Sequence, residues 1–349
     1  MDVKEFLIQM DAAPHVSGYE SELVKVLSDE FSKYADVSVD KFGNFIAHKR
    51  GISGGPKVML SAHMDEIGMM VSAICDNGFV KFSPIGGFDW RTMLAQEVII
   101  HGNGGRQKVF GVIGIKPPHL TDPAERKKVV KQHDMAIDTG FSKKKLELLI
   151  RPGDIITLNQ DIAELQNGKL TGRAFDNIAG IAAMHCAIKN LEHFNHKADL
   201  YFVATGQEEI GYRGAVTASY NIKPDIGIAI DVTHGRAAGL AEHESFDLGK
   251  GPVIAFGPNI NRKLFEDLKK TAIKNNIKYQ VEVIPGMSGT DAVAMQITEG
   301  GMITGIISIP LSYMHTSVET IAVRDIENCG KLISDYIIEL QNWEGEPCW

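Results

Sequence analysis

Two histidines and a group of carboxylates stand where an α/β chain would gather them. His63-Met64-Asp65 closes one apolar run, Glu208-Glu209 follows a second through Gly206, and Asp231 ends a third. His315 follows a strand running up to Pro310, and Asp176 directly precedes a helix expected from Asn177. Imidazoles and carboxylates without a thiolate form a hard-to-borderline donor set suited to zinc, cobalt or manganese. In two-metal hydrolytic sites a carboxylate bridges ions about 3.5–4 Å apart while each ion keeps ligands of its own. The donor count here meets that need. His63 and Asp65, two apart on an extended segment, point to the same side, so Asp65 either binds an ion or orients His63. Glu208 and Glu209, if extended, face opposite ways, which lets one hold a metal while the other stands back as a base. Periodicity does not decide which.

Singly, each feature has a bland reading: a His-x-Asp surface pair, two solvated glutamates, and an Asp176 that merely caps a helix. Joint placement at strand ends favours a metal site, because ligands of open α/β sheets collect outside the carboxyl ends of the strands. His185 lies in the apolar repeat of Ile181, Met184 and Ile188 and reads as a packed helix residue, and His193 and His196 flank a helix end.

The elements that must position these groups follow from periodicity. A helix is expected within 19–35, capped by Ser17 or Ser21, followed by strands at 44–48 and 58–63, the second nearly continuous apolar as in a strand buried on both faces. Between about Gly68 and Gly168 the texture becomes short β runs (79–82, 97–101, 109–115, 155–158) broken by glycine and proline, resembling a small β-barrel. Within it, Pro117 to Met135, with Arg126, Lys127, Lys128 and Lys131, reads as a solvated loop or short helix. After Asn177, helices at 177–191, 262–275, 291–297 and 325–341 alternate with strands at 200–204, 226–230, 280–284 and 304–309. The expected organisation is one discontinuous α/β domain, residues 1–67 and 168–349, with residues 68–167 inserted as a β module.

The 349 residues suffice for a large core, and a net charge of −8 opposes phosphate, arguing against nucleic-acid and acidic-membrane partners. Four cysteines, Cys75, Cys186, Cys329 and Cys348, form no CxxC pair, and the N-terminus has no unbroken apolar segment, so reduced thiols and a cytoplasmic location are expected. No uncharged apolar run approaches the roughly 20 residues that span a bilayer. Rival motifs fail. His243-Glu244-Ser245-Phe246-Asp247 lacks the second histidine of the helical zinc-protease signature, and Gly286-Met287-Ser288-Gly289-Thr290 lacks the closing glycine of a nucleophile elbow.

Taken in order, Ser61–Gly68, Gly172–Asn177, Gly206–Gly211, Ile230–His234 and Met314–Glu319 resemble the di-metal aminopeptidase family of glutamyl aminopeptidases and tetrahedral TET peptidases, some relatives of which carry an endoglucanase label. Ser17–Glu20, Ile113-Gly114, Pro117–His119, Pro152–Asp154 and Ser288–Ala292 extend the likeness across nearly the whole chain. The resemblance implies a zinc-peptidase α/β sandwich with an inserted barrel used in subunit contacts, and assembly as a dodecamer. It implies two divalent ions, zinc or cobalt with manganese as a further choice. Asp176 would bridge them, with His63 and Asp231 on one ion and Glu209 and His315 on the other. Glu208 would be the general base and Asp65 the support of His63. Short peptides would be the substrates. Residues 235–242 depart from the aspartate- and proline-containing turn of many relatives, which bears on selectivity rather than on the ligands. An endoglucanase would need a carboxylate pair but not the two histidines, and a metal-stabilised binding protein would show no turnover.

Overall fold

The computed structural model describes residues 1–52, 54–124 and 127–340; Arg126, Gln341 and Cys348 lie outside the described residues. The chain opens with α1 (Val3–Asp11), whose first turn is tied down by Asp2 accepting from the Glu5 N–H at 2.7 Å, and α2 (Ser21–Phe31). No side chain caps α2, which begins at Ser21, and the Ser17 hydroxyl donates instead to Asp65, so neither serine is the expected cap. Strands β1 (Asp36–Val39), β2 (Phe45–Lys49) and β3 (Lys57–His63) follow.

Strands β4 (Gly68–Ile74), β5 (Val80–Ile85), β6 (Glu97–Gly102), β7 (Gln107–Gly114), β8 (Ala136–Asp138) and β9 (Ile155–Leu158) close into a six-stranded barrel in the order β4-β5-β8-β7-β6-β9. The short helix α3 (Lys143–Leu146) lies between β8 and β9. Its core, with Met69, Phe82, Ile100 and Ile137, is a hydrophobic cluster separate from the main one. Among its described residues the 117–135 stretch holds the short 3₁₀ turns Pro118–Leu120 and Gln132–Asp134. Lys81 fastens its end by donating to the carbonyls of His133 and Met135 at 2.8 and 2.9 Å.

Beyond the barrel come β10 (Ala163–Leu165), β11 (Lys169–Gly172), α4 (Phe175–Asn190), β12 (Asp199–Thr205), α5 (Arg213–Ile222), β13 (Ile226–His234), β14 (Val253–Phe256), α6 (Arg262–Lys274), β15 (Gln280–Val283), α7 (Ala292–Ile297), β16 (Ile303–Leu311), β17 (Glu319–Ala322) and α8 (Val323–Glu339). The main sheet is mixed, eight-stranded and ordered β1-β2-β12-β3-β13-β16-β14-β15, while β10, β11 and β17 form a small antiparallel sheet. This is an α/β fold with a closed β-barrel, the class its sequence predicts. Four neighbours, β12, β3, β13 and β16, run parallel, so their carboxyl ends share one edge. Asp231 lies inside β13 rather than at its end, because the strand continues through three further residues against β16.

Helices α4 and α8 pack closely through Gly330, where a Cβ would stand 2.4 Å from the Cys186 Cβ and 2.7 Å from the Ala183 carbonyl. Gly330→Val therefore forces the helices apart. It is expected to destabilise the fold by about 1–3 kcal/mol, read as a lowered thermal midpoint; an unchanged midpoint would refute this packing constraint.

Candidate metal centre

The parallel register brings the donors level. His63 pairs with Thr205 at the tips of β3 and β12, and β13 leaves its pairing with β3 at Ala229 and Ser61, two residues before Asp231 and His63. Asp176 reaches the same edge from α4. The sequence offered it as a helix cap, but Ala174 holds the cap position in a left-handed conformation, and Asp176 and Asn177 have non-helical backbone inside the first turn. Asn177 pins that turn to β13 by donating to the Ile230 carbonyl at 2.8 Å and accepting from the Gly180 N–H at 3.0 Å.

Asp176 stands between the imidazoles, with Oδ1 3.0 Å from His63 Nε2 and Oδ2 3.3 Å from His315 Nε2. His63 Nε2 is also 3.7 Å from Asp231 Oδ1, and His315 Nε2 is 3.3 Å from Glu209 Oε1. His63, Asp176 and Glu209 offer ligand atoms within 4.8 Å of one another. His63 Nδ1 faces the Asp65 carbonyl at 2.9 Å and must donate to it, which in the neutral ring leaves a lone pair on Nε2, directed at carboxylates. Two electron-rich atoms at such a distance need a proton or a cation between them. Donors about 2.0–2.1 Å from a tetrahedral ion lie about 3.3 Å apart, so these spacings suit a metal.

Charge points the same way. Asp176, Asp231, Glu208 and Glu209 line one cavity of about 420 Å³, and among the described residues no lysine or arginine lines it. Burial works against ionised Asp176, yet His315 and His63 together hold its carboxyl well below the usual range. Burial likewise opposes a charged His315, but Asp176 and Glu209 pull it up to about 11. Burial, reinforced by Asp231, Asp291 and Glu209 and opposed by His63, pushes Glu208 up to about 10, and burial raises Asp231 to about 6 against the pull of His63. The cluster therefore retains protons unless other positive charge reaches it.

Glu208 and Glu209 do not face opposite ways. They follow Gln207, whose φ is +59°, in a turn rather than a strand, and both line the cavity. Asp65 shapes that turn by accepting from the N–H groups of Glu208 at 2.9 Å and Glu209 at 3.2 Å as well as from Ser17. Its carboxylate is 3.8 Å from His63 Nδ1, so its carbonyl makes the closer contact with that ring. His185 instead packs among Phe6, Phe31 and Tyr34 and bonds Glu30 at 2.8 Å, as a core residue.

Three supports passed unassigned in the sequence although their motifs stood out. Glu319, placed by the pairing of β17 with β11, accepts from the backbone N–H of Asp176 at 3.1 Å and of His315 at 2.9 Å. Asp291 accepts from Ser61 and Thr205 at 2.6 Å each, tying β3 to β12 beneath the site. Arg173 pairs with Glu66 and donates to the Asp11 carbonyl at 2.6 Å, locking the start of α4 to the β3–β4 turn and α1. Glu319→Gln presents an amide NH₂ to one of its two backbone N–H partners. Metal affinity is expected to fall about 10–100-fold with circular dichroism unchanged; unaltered affinity in a metal titration would show that Glu319 does not position the ligands.

Residues 43–332 match the model of the M42 glutamyl aminopeptidase family. The lysyl aminopeptidase of Pyrococcus furiosus is 38% identical over 98% of this chain and 99% of its own. Aminopeptidase APDkam598 from Desulfurococcus kamchatkensis superposes with a TM-score of 0.90 at 36% identity, covering 97% of this chain and 94% of the other. The TET1 peptidase of Pyrococcus horikoshii, which can assemble into a tetrahedron or a large octahedral shell, superposes with a TM-score of 0.85 at 32% identity over 96% and 99%. With a family match over most of its length and a relative of this identity at nearly full coverage, the chain belongs to the M42 glutamyl aminopeptidase family.

Proposed function

We propose that the chain is a metallo-aminopeptidase that removes the first residue of short peptides using two divalent cations. The observation that carries the reading is the Asp176 carboxylate, whose two oxygens face two different imidazoles. His63, Asp231 and one oxygen of Asp176 would hold one ion, and His315, Glu209 and the other oxygen the second. Zinc, cobalt and manganese all suit these donors. When bound, the ions supply Lewis acidity toward the peptide carbonyl and lower the pKa of water at the site.

The chain's own groups do the rest. Glu208 lines the cavity with its backbone held by Asp65, so its carboxylate is free of the proposed ligand set and placed to act as the base. It takes the proton of the attacking water as the new C–O bond forms, then delivers it to the amine nitrogen as the C–N bond breaks. Asp65 acts through the Glu208-Glu209 turn and the His63 ring rather than on substrate. A glycosidase built on a carboxylate pair gives no role to His63 and His315.

Residues 1–67 and 168–349 form the catalytic unit in this reading, and residues 68–167 a module for self-association into a dodecamer. The separate apolar core of the barrel supports that division, as do Phe110 and Val112, exposed on its outer face. The cytoplasm is the proposed location, consistent with the free thiols of Cys75, Cys186 and Cys329. No helix among the described residues is long and apolar enough to cross a membrane.

Chelation is expected to abolish peptide cleavage, and readdition of zinc, cobalt or manganese to restore it; full activity in metal-free protein would sink the two-metal reading. Glu208→Gln should lower kcat by about 10²–10⁴ at unchanged metal content, and near-normal turnover would remove Glu208 from the base role. Sedimentation of active protein should show a large homo-oligomer, and an active monomer would contradict the proposed assembly.

A further inference from the structure

Strand β14 pairs with β16 only through Val253 and Ile254, whereas β13 and β16 stay paired to His234 and Leu311. The cavity over the metal-site residues is walled on the β15 side by Glu282 and Ile284, and on the other by Val232, Thr233, Ile306 and Ser308. Its acids fall into two groups. Asp176, Asp231, Glu208 and Glu209 are taken up by the proposed ions and base, which leaves Glu282. Glu282 is half-buried, and its Oε1 accepts from the Thr233 hydroxyl at 3.0 Å. Burial raises its pKa against the pull of Thr233 and of His234, the exposed imidazole beside it.

Position gives this acid a use. Thr233 lies two residues beyond Asp231 on β13, so both side chains leave the same face, about 6.5–7 Å apart along the strand. Glu282, held by Thr233, thus stands one such step beyond the Asp231 end of the site. A lysine stem of four methylenes reaches about 6 Å. Ile284 and Ile306 supply apolar wall for the stem, and the carboxylate supplies an acceptor for the head.

We propose that Glu282 is a specificity-determining residue that selects peptides with a basic first residue, its carboxylate receiving the lysine ammonium or arginine guanidinium while the scissile carbonyl lies over the metal-site residues. The inference rests on the aminopeptidase reading and deepens it. An acidic first residue would meet a like charge in a cavity that no lysine or arginine lines among the described residues.

The test measures kcat/KM of metal-loaded protein on lysyl, norleucyl and glutamyl p-nitroanilides. Norleucine keeps the stem and lacks the ammonium. The lysyl substrate should exceed the norleucyl one by about 10–100-fold, the range of a charge-assisted hydrogen bond, and the glutamyl substrate should be poorest. Glu282→Gln should bring the lysyl-to-norleucyl ratio toward one, and Glu282→Lys should raise the glutamyl-to-lysyl ratio. Ratios within one protein cancel any general loss of activity, and the wild-type comparison stands without either variant. Norleucyl turnover equal to lysyl, or a lysyl preference that survives Glu282→Gln, overturns the inference alone. Turnover of none of the three substrates overturns the aminopeptidase reading and this inference with it.

Discussion

Concentrated negative charge is the constraint from which the rest of the molecule follows. Asp176, Asp231, Glu208 and Glu209 line one cavity, two imidazoles stand among them, and no lysine or arginine among the described residues lines the same space. Like charges at such spacing in a half-dry cavity repel strongly, and desolvation adds to the cost, so the cluster must hold compensating positive charge. Protons are one form of it, as the upward pull on His315 and Glu208 shows. Divalent cations, in the proposed reading, are the other, and they would give the repulsion a use.

Around this cluster lies a second set of acids whose carboxylates face the chain itself. Asp65 gathers Ser17 and the N–H groups of Glu208 and Glu209, Glu319 gathers those of Asp176 and His315, and Asp291 gathers Ser61 and Thr205. Each spans two segments distant in sequence. A carboxylate suits the task because its two oxygens accept several donors at once, which a hydroxyl or an amide oxygen cannot do with the same reach. The segments that carry the proposed ligands are thereby tied to one another by the chain's own hydrogen bonds, the condition under which a preorganised site discriminates.

Much of this was legible in the sequence. The buried parallel strands announced themselves as apolar runs with a donor at or just past each end, and four of them run parallel at the centre of the sheet. What escaped is what short patterns cannot carry. β11 and β17 are four residues each, too short for a period of two to register, and their pairing is what delivers Glu319. α5 begins at a left-handed Tyr212 with no side-chain cap, so no start signal precedes it. For the Glu208-Glu209 pair, beyond the strand expected at 200–204, the local pattern offers only an extended geometry to reason from. The pair's true conformation is set by Asp65, 143 residues away from Glu208 in sequence, through hydrogen bonds that no local window contains.

The same division between local pattern and long-range contact explains how one sheet separates chemistry from selection. Two of the donors, His63 and Asp231, stand on the parallel strands β3 and β13, held there by pairing with β12 and β16, so that half of the site's geometry belongs to the most buried part of the core. The facing wall comes from β15 at the sheet's edge, where alternate residues are exposed and where β14 has already parted from β16. A substitution in β3 or β13 disturbs packing on both faces of the sheet, whereas one at Glu282 changes the charge of the cavity and little else. Selectivity can therefore vary among chains that share the fold, because the residue that meets the substrate's side chain lies outside the strands that carry the ligands.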